Sequence, residues 1–139
     1  METYRELKQR QQEEFNAFPC GFAFSEKQLN EEMKRLNVNG LNELVSIGGG
    51  GFIRNVDKQD FLEMIKRFSR ELKHLQEYDD EVIEMFKYEM ANHEYQITMD
   101  EEEIFEACDL DYQTADERMV YLFKNAENSY LENNSRFYF

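Results

Sequence analysis

An α+β fold, with five or six helices packed on a small antiparallel sheet of about three strands, follows from three observations. The chain has one proline, Pro19, and its glycines are few outside the run Gly48–Gly51, so most of it carries no helix breaker. Apolar residues recur at three- and four-residue spacing over several long segments. Two short apolar runs, ELVSI (43–47) and FIRN (52–55), flank the glycines as a hairpin would. A length of 139 residues suits one domain, 1–139, and twelve Phe and eight Tyr supply a core.

The elements follow in order. Thr3 and Glu6 form a capping box that opens a helix to about Phe15, with Tyr4, Leu7 and Phe15 inward. Pro19 and Gly21 end it, and GFAF (21–24) reads as a short buried strand. Ser25 and Gln28 form a second capping box, ahead of a helix to Leu36 with Leu29, Met33 and Leu36 on one face. NVNG (37–40) is turn chemistry before the hairpin. Asp57 is expected to cap a long amphipathic helix whose stripe is Phe61, Ile65, Phe68, Leu72 and Leu75. A further helix follows Tyr78–Asp80, with Ile83, Phe86, Met90 and His93 on one face, and YQIT (95–98) reads as a short strand or irregular exit. Asp100 caps EEEIFEAC, and the last helix starts near Thr114 with Ala115, Met119, Leu122, Ala126 and Tyr130 aligned. The tail SRFYF (135–139) is aromatic and is expected to pack back on the core.

The four glycines do not read as a phosphate loop. They lead into a strand-like FIRN, no Lys follows as in a phosphate-binding loop, and the next helix start carries Asp57, which repels phosphate. A tight hairpin or a close backbone approach explains them, although one turn needs only one or two. Glu89 and His93 share a helical face, yet no HExxH or repeated ExxH accompanies them, so a hydrogen-bonded histidine at the core edge is the expectation and no metal is called for. Cys20 and Cys108 are read as buried structural thiols, since Cys108 sits among acids and Cys20 in an apolar turn. The run DLDYQTADE (109–117) fails as a calcium loop because it lacks the required glycine. No catalytic residue and no cofactor is assigned.

Charge carries the functional signal. The net charge is −14, and residues 1–74 are balanced, with twelve acids and twelve bases. Residues 75–139 hold eighteen acids and four bases, and Lys87 is the one base between Glu77 and Glu117. A mixed solvated surface does not segregate its signs this way. Interleaved Val82, Ile83, Phe86, Met90, Ile104 and Phe105 give the acidic half something to bury, against a disordered tail. Such a chain repels nucleic acid and anionic lipid and attracts basic partners. No stretch approaches the about 18 apolar residues that span a bilayer, and the first fifteen residues have no apolar signal core, so the cytoplasm of a bacterial host is the expected compartment.

Four stretches, YRELK (4–8), FNAFPCGFAFS (15–25), SIGGGGFIR (46–54) and ANHEY (91–95), make the chain resemble a group of short proteins from phages and conjugative elements of gut and Gram-positive bacteria. The resemblance reaches to about Asp100 and carries no agreed catalytic residue. FAFSEKQLNEEMKRLNV (22–38) is similar to strand-then-helix units of acidic antirestriction proteins that mimic DNA. These resemblances imply a mobile-element inhibitor of host defence, of anti-CRISPR or antirestriction type.

The expected function is therefore a non-enzymatic inhibitor that occupies the basic surface of a nucleic-acid-binding defence nuclease, without touching nucleic acid or membrane itself. Its contact residues are Glu77, Asp80, Glu84, Glu101, Glu102, Glu103, Glu106, Asp109, Asp111 and Asp116. Acids three or four apart on a helix hold carboxylates about 5–6 Å apart, which supports an array that competes with phosphates. One alternative is a non-mimic accessory protein of a mobile element, as a homodimer, held by the apolar hairpin and aromatic tail. Another is a small hydrolase or metal protein centred on His93 and Glu89.

Overall fold

The computed structural model describes residues 1–134. In chain order these form α1 (Tyr4–Ala17), β1 (Cys20–Phe22), α2 (Glu26–Arg35), β2 (Leu44–Gly48), β3 (Gly51–Arg54), α3 (Lys58–Leu75), α4 (Asp79–Asn92), α5 (Tyr95–Thr98), α6 (Glu101–Ala107) and α7 (Glu117–Asn134). The α+β class is as the sequence predicts. The described helices number seven because YQIT, read as a strand or irregular exit, is one turn of helix. Glu94 and Met99, both in the left-handed region at φ 51°, bracket that turn. Tyr95 is fully buried there, and tertiary packing overrides its strand propensity. The expected packing of SRFYF lies outside the described residues.

The chain divides into two compact units: Arg10–Phe68, and Met1–Gln9 together with Ser69–Phe139. The second takes in the acidic half and also the start of α1, so the balanced and acidic parts part at different residues from the expected 74/75.

The unit Arg10–Phe68 holds the sheet, antiparallel in the order β1-β3-β2. Gly49 and Gly50 form the two-residue turn, and Gly48, Gly49 and Gly50 have φ of 89°, 59° and 80°. Positive φ at both central positions is the type I′ signature, matched to the twist of the strands. A side chain on Gly50 or Gly51 would meet the rings of Phe24 and Phe22, each at 2.7 Å. Backbone sign and ring contact together account for all four glycines. Gly50→Ala is expected to cost about 1–2 kcal/mol, because an L-residue with a Cβ resists positive φ. Gly49→Asn, whose side chain tolerates that region, is expected to be near neutral. Urea titrations of both variants test the pair; equal losses would contradict the turn assignment.

Three expectations in this unit are corrected. The strand begins at Cys20, and only Gly21 of β1 is buried; Phe22 and Phe24 lie with their rings over the glycines, 46% and 80% exposed. Asp57 does not cap α3; it ends a 3-10 turn (Asn55–Asp57) and takes the Arg54 guanidinium at 2.7 Å. Ile65 is 40% exposed, and Met64 is buried instead. Ser25 does cap α2, accepting from the Gln28 amide N–H at 3.2 Å, while the Gln28 side chain accepts from Phe24 N–H.

The other unit carries the larger core. Tyr4 and Leu7 of α1, Leu75 of α3, Val82, Met85, Phe86 and Met90 of α4, Tyr95 of α5, Ile104 and Phe105 of α6, and Met119, Leu122, Phe123, Ala126 and Tyr130 of α7 are buried in one cluster. Thr3 and Glu6 cap α1 as expected. Asp100 caps α6 by accepting from Glu103 N–H. α7 starts at Glu117, later than the expected Thr114, because Asp116 accepts from Met119 N–H at 2.8 Å. Cys108 is buried but Cys20 only half-buried, a correction to the reading of both as buried. Burial raises both thiols, with Glu89 adding to the effect at Cys108 and Lys8 opposing it.

Candidate functional site

The acidic unit, Met1–Gln9 with Ser69–Phe139, holds 21 acidic against eight basic residues, whereas Arg10–Phe68 holds nine and eight. The charge excess belongs to one folded unit.

Within it the ten expected contact residues differ in what they do. Glu77 follows α3, exposed and 3.4 Å from the His74 ring. Asp80 and Glu84 lie on α4, and Glu84 faces Lys87 at 3.6 Å. Glu101, Glu102, Glu103 and Glu106 lie on α6. Glu101 accepts from the Tyr112 hydroxyl at 2.7 Å and faces Lys124 of α7 at 3.5 Å. That hydrogen bond, and then the charge of Glu101, pushes the Tyr112 hydroxyl pKa up. Glu103 faces His93 Nδ1 at 3.4 Å. Asp111 accepts from Gln113 N–H, and Asp116 is spent on the α7 cap. The remaining four, Asp80, Glu102, Glu106 and Asp109, are exposed and have no ion pair or side-chain hydrogen bond among the described residues. Glu106, Asp109 and Asp111 line one shallow depression of about 350 Å³ with Leu110.

The pair Glu89–His93 is a different kind of site. Glu89 is fully buried on α4. Its Oε1 takes an ion pair from Lys8 Nζ and a hydrogen bond from the Tyr4 hydroxyl at 3.2 Å. Its Oε2 makes no hydrogen bond among the described residues and lies 3.4 Å from His93 Nε2. Burial first, then Cys108 and Glu89, raises the Tyr4 hydroxyl far above its ordinary pKa. Both ring nitrogens of His93 face carboxylates, Nε2 toward Glu89 and Nδ1 toward Glu103, each at 3.4 Å. His93 caps the end of α4 and is one-third exposed, the core-edge position expected of it. Among the described residues no group of three or more His, Cys, Asp or Glu is arranged around a metal position. Sequence reasoning missed Lys8 as the partner and Glu89 as a core position. A signal existed, since Glu89 falls on the stripe Val82–Met85–Phe86–Met90.

No helix of the described residues is long and apolar enough to cross a membrane. The chain belongs to the family of unknown function DUF7659, whose model matches residues 3–129 and so takes in residues of both units. No curated protein and no solved structure matches it.

Proposed function

We propose that this member of the family is a non-enzymatic binding protein whose acidic unit occupies the basic, nucleic-acid-binding surface of a bacterial defence protein and blocks nucleic-acid access. The observation that carries the reading is the set Asp80, Glu102, Glu106 and Asp109, exposed carboxylates with no counter-ion among the described residues, in a unit of 21 acids. Charges without an internal partner keep their full attraction for an external one. Nucleic acid binds basic grooves largely through its phosphates, so a folded anionic surface competes on the same term. The reading makes the chain an antirestriction or anti-CRISPR inhibitor acting in the host cytoplasm, with no cofactor.

The test is capture from a bacterial lysate with the whole chain as bait. A basic nucleic-acid-binding protein is expected to be held at about 50 mM salt, lost at about 500 mM, and displaced by added duplex DNA. The triple variant Asp80→Lys, Glu102→Lys and Glu106→Lys is expected to weaken capture about tenfold or more. None of these side chains has a hydrogen bond to lose among the described residues. Undiminished capture by the folded variant would reject the proposal. A second reading, an accessory interaction protein without mimicry, is favoured by the exposed rings of Phe22 and Phe24. Capture that persists at high salt and is lost in Phe24→Ser would select it.

A further inference from the structure

We propose that a concavity bounded by α1, α4 and α7, within the acidic unit, binds a small anion with a flat aromatic body, of the size of a nucleoside monophosphate. The concavity measures about 770 Å³, within the usual range for small-ligand sites. Its lining departs from the charge of the unit around it. Arg5 and Lys87 contribute two cations against one carboxylate, Glu84, which faces Lys87 at 3.6 Å.

Arg5 is left without a carboxylate partner among the described residues. Its guanidinium lies 5.0 Å from the centre of the Tyr88 ring, which holds the planar group in place while its N–H donors remain unused. A fixed guanidinium with idle donors is the side chain best suited to an oxyanion, and Lys87 adds a second point charge from another helix. The field of the unit as a whole repels anions, so binding of one requires such fixed local cations.

The rest of the lining suits a ring. Tyr4 and Tyr130 form buried aromatic walls. Asn92 and Asn133 bring amides that make no hydrogen bond among the described residues. An amide offers both donors and an acceptor, as the edge of a nucleobase does. The phosphate is thus assigned to Arg5 and Lys87, and the ring edge to the two asparagines. This site is independent of the acidic surface: none of Asp80, Glu102, Glu106 and Asp109 lines it.

Calorimetric titration of the full chain with AMP, UMP, adenosine and inorganic phosphate tests the proposal. AMP or UMP is expected to bind saturably and about tenfold or more tighter than adenosine or phosphate alone. Arg5→Gln and Asn133→Ala are each expected to weaken that binding about tenfold, while Asp80→Lys leaves it unchanged. The proposal is overturned if neither nucleotide binds below about 5 mM, if inorganic phosphate alone binds as tightly, or if folded Arg5→Gln binds as the parent does. Binding that appears only in a chain ended at Asn134 would overturn it as well.

Discussion

Phe123→Ala is expected to cost about 4 kcal/mol of unfolding free energy, near the top of what one substitution does in this chain. The ring is 2% exposed. It packs against Phe86 at 5.2 Å, Phe105 at 4.9 Å and Tyr95 at 6.0 Å between centroids. Those three rings come from α4, α6 and α5, so this one side chain joins α7 to three other elements of its unit. Edge-to-face and tilted pairs add to the area term, and truncation removes three at once. Phe123→Leu keeps most of the volume and is expected to cost about 1–1.5 kcal/mol. Urea unfolding followed by circular dichroism measures both. A loss below about 1 kcal/mol for the alanine variant would mean that the cluster collapses around the gap or is not the core of the unit. The consequence for function is direct: the exposed acids of α4 and α6 are held on elements that this ring joins.

How much of this was legible in the sequence depends on what each residue had to agree with. Capping at Thr3, Ser25 and Asp100 was legible because a cap is settled within four residues. The hairpin was legible because four glycines between two apolar runs leave few other conformations. The stripe of α7 was legible once Met119, Leu122, Ala126 and Tyr130 fell on one face, and all four are buried. Other expectations failed for different reasons. Asp57 has the chemistry of a cap, but Arg54, only three residues before it, competes for the carboxylate. YQIT has the composition of a strand, but Tyr95 is drawn into the core, where its hydroxyl meets Glu127 at 2.5 Å. The expected face of α4 was Ile83, Phe86, Met90 and His93, whereas the buried one is Val82, Met85, Phe86, Glu89 and Met90; the spacing put Glu89 on that face, but its buried charge depends on Lys8, 81 residues away.

The charge signal was legible in part. Composition located the excess in the second half, and the fold gathers it in one unit. A count of charge does not show that Asp116 is consumed as a cap, that Asp111 closes a local turn, or that Glu101, Glu103 and Glu84 face His, Lys or Tyr side chains. Charges that already have internal partners have less to offer a partner protein. The triple variant is built for that reason on Asp80, Glu102 and Glu106. Arg5 shows the opposite case: a cation without a carboxylate partner among the described residues of an acidic unit is invisible to any count of charge.

Lys8→Met is expected to destabilise the acidic unit by about 3 kcal/mol or more, because it leaves Glu89 as a buried charge without its cation. Lys8 is 38% exposed, which places the loss toward the lower end of the usual range for such a break. Replacing both partners, Lys8→Met with Glu89→Leu, removes the charge along with its cation. That double variant is expected to lie within about 1 kcal/mol of the parent, the residual being the Tyr4 hydroxyl that no longer has its acceptor. A thermodynamic cycle by urea unfolding, with Glu89→Leu as the fourth corner, measures the coupling; near-additivity would show that the pair contributes little. The same double variant separates two roles for the Glu89–His93 pair. If it folds and still captures a basic protein from lysate, the buried carboxylate is scaffolding and the exposed acids of α4 and α6 are the contact. If it folds and captures nothing, Glu89 acts through His93 on Glu103 at the surface, and the binding surface extends to the C-terminal end of α4.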